Sequence, residues 1–187
     1  RAGSILVSPM PLFHAGGCSG TVLGSLQSLT TLVLMQQFDP ALMLELIETE
    51  KADVAIGVPT MLVALEEAAE FKTRDITSLR ALQTGGANVP VELVRRYEER
   101  LSEGFSMVYG LSEACPVITQ TKLDDTLEDK SETIGCPLPQ IEVKIIDPQS
   151  GKAQPIGQSG ELCARGYLVM KGYFDMPERT AEAIDTD

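Results

Sequence analysis

Short apolar runs alternate with amphipathic segments through the first two-thirds of the chain, and this alternation restricts the fold more than any other feature. Ile5-Leu6-Val7 and residues 30–35, 53–58, 79–84 and 105–109 are each apolar and of strand length. Between them lie segments with helical character. Residues 21–29 are one. Asp39-Pro40 opens another, with Asp suited to the cap and Pro to the first helical position. In that segment Met43, Leu46 and Ile47 share a face, opposite Glu45, Glu48 and Lys51. Pro59 opens a third. Residues 90–101 form a fourth, with Leu93, Tyr97 and Leu101 at four-residue spacing. Strands joined by short helical crossovers are parallel, so the expected fold class is α/β: a mostly parallel sheet with helices on both faces.

The pattern changes after Pro116. Residues 117–121 read as one more strand. Residues 123–132 carry Asp124, Asp125, Glu128, Asp129 and Glu132 and are expected to form a solvated loop. Gly and Pro in 133–139 indicate a linker. Ile141, Val143 and Ile145 then alternate with Glu142 and Lys144, the signature of a half-buried strand. A turn at 147–151, a strand at 160–165 and a short segment at 166–173 follow, with a short helix at 177–187. The expectation is a small β-barrel-like subdomain at the C-terminal end. The resulting division is 1–121 for the α/β part, 122–139 for loop and linker, and 140–187 for the β subdomain.

Composition excludes some classes. The formal net charge of −12 over 187 residues argues against a nucleic-acid surface, which needs a basic patch. No apolar run is long enough to span a bilayer. Cys18, Cys115, Cys136 and Cys163 are widely spaced and accompany a single histidine, so they read as reduced, buried thiols of a cytoplasmic protein rather than zinc ligands.

The chemistry concentrates where the fifth strand ends. Tyr109, Gly110, Ser112 and Glu113 stand within five positions of one another. In open α/β sheets, ligands bind at the carboxyl ends of strands. Tyr109 offers a face for a flat base, Ser112 a hydroxyl for a phosphate oxygen, and Glu113 a hard oxygen ligand for Mg2+. The competing reading is a plain strand, turn and helix in which Ser112 is the cap. The fourth strand also ends in small residues, Gly85-Gly86-Ala87-Asn88. A parallel arrangement brings both loops to the same edge. His14, in a loop with two prolines, is either satisfied by backbone or directed to a pocket.

Five stretches in order then resemble one family: Pro11-Leu12-Phe13-His14, Thr84-Gly85-Gly86-Ala87, Tyr109-Gly110-Leu111-Ser112-Glu113, Gly135-Cys136-Pro137-Leu138-Pro139, and Gly160-Glu161-Leu162 with Arg165-Gly166 and Lys171-Gly172-Tyr173. The chain resembles the AMP-forming acyl- and aryl-CoA synthetases, relatives of luciferase and of peptide-synthetase adenylation domains, and is most similar to fatty-acyl-CoA synthetases.

The resemblance implies an enzyme that activates a carboxylic acid with ATP and Mg2+ and passes it to coenzyme A. It implies that Gly85, Gly86 and Ala87 wall the adenine and acyl pocket. Tyr109 would stack on adenine, with Gly110 beside it. Ser112, where the family usually has Thr, would contact phosphate, and Glu113 would hold Mg2+. His14, Gly86 and Pro116 would line the acyl or pantetheine tunnel. The motif at 160–173 reads as mostly structural. The family's phosphate loop, ribose-holding aspartate and catalytic lysine have no counterpart here, so the chain reads as an internal piece of such an enzyme, inactive alone and able to pair as a homodimer. A domain that loads a carrier-protein thiol and a non-catalytic nucleotide-binding module are the alternatives.

Overall fold

The computed structural model describes residues 2–185. The five apolar runs form β1 (Ile5–Ser8), β2 (Thr31–Leu34), β3 (Val54–Ile56), β4 (Ala81–Gly85) and β5 (Gly104–Tyr109). All four pairings among them are parallel. Two very short strands, β6 (Thr119–Gln120) and β7 (Cys136–Pro137), add on antiparallel beyond β5. The seven-stranded order is β2-β1-β3-β4-β5-β6-β7.

Register explains where the core sits. Val33, Val7, Ala55, Leu82 and Phe105 are successive partners across the five parallel strands, so their side chains form one row on one face. Val7, Ala55, Leu82 and Phe105 are each at most 1% exposed. Packed on that row are α2 (Pro40–Thr49), α3 (Pro59–Glu67) and α4 (Val91–Glu98), through Met43, Leu44, Ile47, Leu62, Leu65, Leu93 and Val94. The Asp39 carboxylate caps α2 by accepting from the Leu42 N–H at 2.7 Å. The buried Tyr97 hydroxyl donates to the Leu62 carbonyl at 2.9 Å, tying α4 to α3. On the opposite face Leu6, Val54, Ile56 and Gln83 are only half-buried. Val22, Ser25 and Leu26 share a shallow cavity with Leu32, which lies in the Leu6 row. They come from the segment expected as one helix over 21–29, which is a π-helix at Gly16–Leu23 running into α1 (Gly24–Ser28).

Four expectations need correction. The acidic segment is not simply a solvated loop, because it contains α5 (Leu127–Glu132). Thr126 Oγ1 accepts from the Asp129 N–H at 3.1 Å and donates to the Asp129 carboxylate at 2.7 Å, a capping arrangement. Lys130 in this helix is 1% exposed. Its Nζ donates to Glu98 Oε1 at 3.0 Å and to the Leu123 carbonyl. The same Glu98 oxygen accepts from the Phe105 N–H, so one ammonium joins α4, β5 and α5. The linker at 133–139 is likewise partly sheet, since β7 pairs with β6.

The third correction concerns the C-terminal part. Among the described residues it holds a two-stranded antiparallel hairpin, β8 (Glu142–Ile146) with β9 (Glu161–Arg165), and residues 166–173 form an irregular strap rather than a strand. Pro177–Ala183 forms α6, and residues 186 and 187 of the helix expected over 177–187 lie outside the described residues. Ile141 and Leu168 pack with Ala114 and Ile118 in a second small core that also takes Tyr109, Val143 and Val169. That core holds the hairpin and strap against the end of β5. The cysteines are free but not buried: Cys18, Cys115 and Cys136 are exposed and Cys163 is half-buried.

Candidate functional site

β4 and β5 are direct neighbours, with Gly85 opposite Val108. Their following loops therefore leave the same edge of the sheet side by side. Thr84 Oγ1, buried, donates to the Gly57 carbonyl at 2.7 Å and anchors this edge to the loop after β3. Gly85 packs so closely on the Val108 backbone that a Cβ has no room. Gly86 and Ala87 are exposed, and Gly86 faces open space. Tyr109 is half-buried, its ring set against the second core, and its carbonyl accepts from the Ile118 N–H at 2.8 Å.

Gly110 makes the turn possible. Its Cα lies against the Pro116 carbonyl, where any side chain would collide with backbone. The chain then forms a single 3-10 turn, Ser112–Ala114. Ser112 is exposed and is not the cap: Leu111 holds that position, with no side-chain hydrogen bond. The turn ends at Cys115 in a left-handed conformation, φ 33°.

Glu113 is half-buried in the middle of that turn. The Tyr173 hydroxyl donates to Glu113 Oε1 at 2.7 Å, and the Met170 N–H donates to the Glu113 carbonyl oxygen at 2.8 Å. The Tyr173 hydrogen bond, with one from the Glu113 backbone, holds the carboxyl below the usual carboxylate range against a small opposing effect of burial. The anion is therefore present at neutral pH and is lost only as pH falls through that lowered value. Leu111, Glu113, Ile118, Arg165, Met170 and Tyr173 border a cavity of about 600 Å³ between the end of β5 and the strap.

His14 is exposed, and its Nδ1 accepts from the Gly16 N–H at 3.0 Å. The helix that follows His14 meets the Glu113 loop. The Cys115 thiol donates to Ser19 Oγ at 3.4 Å, and Gly20 faces the Pro116 ring. The structure thus joins Pro116 to the segment after His14, and Tyr109, Ser112 and Glu113 to one turn. Sequence reasoning missed Tyr173 as the partner of Glu113. Its Gly172-Tyr173 signal was present in the resemblance, but only as a structural motif.

Residues 1–174 match the family described as AMP-binding enzyme. The chain belongs to this family. Among AMP-binding enzymes, it is 39% identical over 180 residues to the putative acyl-CoA synthetase YngI of Bacillus subtilis, covering 96% of this chain and 33% of that protein. It is 33% identical to the mitochondrial medium-chain acyl-CoA ligase ACSF2 of Bos taurus, covering 98% of this chain and 30% of the other. The chain spans about a third of the length of the curated relatives it matches. The N-terminal domain of FACL13 from Mycobacterium tuberculosis superposes with a TM-score of 0.89 at 28% identity, covering all 100% of this chain and 46% of that one. The O-succinylbenzoate coenzyme A synthetase MenE of Bacillus subtilis, in complex with AMP, gives 0.85 at 28% identity, covering 98% and 36%.

The donor set of this AMP-binding enzyme suits Mg2+ rather than a protein-caged metal. Among the described residues no group of three or more His, Cys, Asp or Glu could hold an ion. Mg2+ needs no such cage, because it binds through one or two carboxylates and completes its shell with waters and substrate phosphates. An ionised, half-buried Glu113 bordering a cavity meets that requirement.

Proposed function

We propose that this chain carries the adenine, phosphate and metal contacts of an ATP-dependent, AMP-forming acid–CoA ligase, with a fatty acid as the substrate. The observation that carries the reading is the pair of adjacent loops after β4 and β5, one open and small, the other bearing Tyr109, Ser112 and the ionised Glu113. Family membership and the acyl-CoA ligase relatives support it. A carboxylate oxygen of the acid attacks the α-phosphorus of ATP, the bond to the β-phosphate bridge breaks, and pyrophosphate leaves. The thiol of coenzyme A then loses its proton and attacks the acyl carbon, and AMP departs.

Mg2+ held at Glu113 supplies charge neutralisation on the phosphates. Tyr109 presents its ring to adenine beside the Gly85–Gly86–Ala87 wall. Ser112 donates to a phosphate oxygen as charge builds there. His14, Gly86 and Pro116 border the path of the acyl or pantetheine chain. Three exposed thiols suit a reducing compartment, and the cytoplasm is part of the proposal. No helix among the described residues is long and apolar enough to cross a membrane. Exposed Leu23, Leu26 and Leu29 support pairing of this chain as a homodimer, so sedimentation of the isolated chain at twice its monomer mass is the expected result.

The test is ATP–pyrophosphate exchange by the intact enzyme across a panel of carboxylic acids, followed by thioester formation with coenzyme A. Acid-dependent exchange is expected, strongest with fatty acids. Exchange with none of the acids would refute the reading, and transfer to a carrier-protein thiol in place of coenzyme A would reassign the acceptor. Within that assay Ser112→Thr keeps the hydroxyl and is expected to retain activity. Ser112→Ala removes a hydrogen bond to a charged group, for which about 1.5–3 kcal/mol is typical, and exchange is expected to slow about 10- to 100-fold. Equal rates for the two variants would remove Ser112 from the phosphate site.

A further inference from the structure

Glu113 sits on a turn of three residues, and a glutamate there has several freely rotating bonds. A carboxylate that wanders among rotamers is a poor ligand. Two contacts three residues apart on the strap act on it: the Met170 N–H pins the backbone of the turn at the Glu113 carbonyl, 2.8 Å, and the Tyr173 hydroxyl restrains the side chain at Oε1, 2.7 Å. We propose that Tyr173 is a positioning residue for the Glu113 carboxylate, and that Thr180 and Arg179 of α6 hold Tyr173 in turn. The proposal rests on the reading of Glu113 as the Mg2+ carboxylate.

The support behind Tyr173 is visible in the contacts. Its backbone N–H donates to Thr180 Oγ1 at 2.9 Å, while the same hydroxyl donates to the Met176 carbonyl at 2.8 Å. Gly172 has φ 146°, and a Cβ there would lie 2.7 Å from Thr180 Cγ2, so the strap can press against the helix only with glycine. The Arg179 guanidinium lies 5.6 Å from the centre of the Tyr173 ring. α6, strap and turn therefore form one continuous chain of contacts ending at the carboxylate.

The chemistry of the donor fits the task. A lysine or arginine in this place would cancel the charge that attracts a cation. A neutral phenol fixes one oxygen and leaves the charge in place. A carboxylate has about four lone-pair directions, so the Tyr173 hydrogen bond at Oε1 and the one from the Glu113 backbone still leave lone pairs for the metal.

Tyr173→Phe removes only the hydroxyl. In the intact enzyme it is expected to raise the Mg2+ concentration giving half-maximal exchange by about 10-fold, the effect typical of losing the partner that orients a ligating group. The KM for the acid should not move. Calorimetry of ATP binding with and without Mg2+ provides a reading independent of turnover, and the gain in affinity that Mg2+ confers should shrink in the variant. Thr180→Val is expected to shift both readings in the same direction by less. Glu113→Gln serves as the reference. If it alters the Mg2+ dependence while Tyr173→Phe does not, Tyr173 is not a positioning residue and the proposal falls. If Glu113→Gln also leaves the Mg2+ dependence unchanged, the assignment of Glu113 falls first.

Discussion

Glu113→Gln is expected to lower acid-dependent ATP–pyrophosphate exchange by about 100- to 1,000-fold, equivalent to about 3–4 kcal/mol of transition-state stabilisation. The substitution changes little besides charge. Gln is nearly isosteric, its carbonyl oxygen still accepts from the Tyr173 hydroxyl, and the Met170 N–H contact is to backbone. What disappears is the anion, present at neutral pH and stabilised further by the Tyr173 hydrogen bond. An amide is a weak ligand for a hard cation, so the loss falls on the step in which charge moves onto the departing pyrophosphate. Rates are measured by exchange at saturating ATP and acid, and folding by thermal melting, which should be unchanged. Near-normal exchange would remove Glu113 from the metal site.

The second large effect concerns stability. Lys130→Ala is expected to destabilise the chain by about 3 kcal/mol, the low end for breaking a buried ion pair. The ammonium is fully enclosed, whereas Glu98 is about a quarter exposed and keeps some hydration when its partner goes. The loss also frees the Leu123 carbonyl and leaves Glu98 with only the Phe105 N–H among these partners. Urea denaturation followed by circular dichroism measures it. A loss below about 1 kcal/mol, the range of solvent-exposed pairs, would show that water reaches the ammonium in solution.

The parallel part of the fold was legible because its strands were apolar runs, and β2, β3 and β4 were followed by helices with recognisable starts, such as Asp39-Pro40. The common edge of the Gly85–Ala87 and Tyr109–Glu113 loops follows from the parallel strands, but their adjacency does not, since β2 and β3 are consecutive in the chain and separated by β1 in the sheet. β6 was read within residues 117–121, whereas β7 carried too little pattern, since two residues have no periodicity. α5 was hidden by its acidic composition, although Thr126 three residues before Asp129 was a readable cap. Lys130 illustrates the deeper limit. A lysine among five acidic residues reads as exposed, and only the distant Glu98 and Leu123 make burial affordable. Tyr173 fails for the same reason, because its partner Glu113 is 60 positions away in sequence.

The turn that bears Glu113 is pinned at both stems, by the Tyr109–Thr119 pairing and by the Ile118 N–H on the Tyr109 carbonyl. Its span is therefore a fixed measure between two anchored points. An added residue costs little as chain entropy, yet the slack must bulge where Gly110 touches Pro116 or where Glu113 reaches Tyr173. Leu111 and Cys115 are exposed and Val117 is half-buried, and none of them touches these two contacts through its side chain. A change in the number of residues from Gly110 to Val117 is therefore expected to cost more than a change of side chain at Leu111 or Val117.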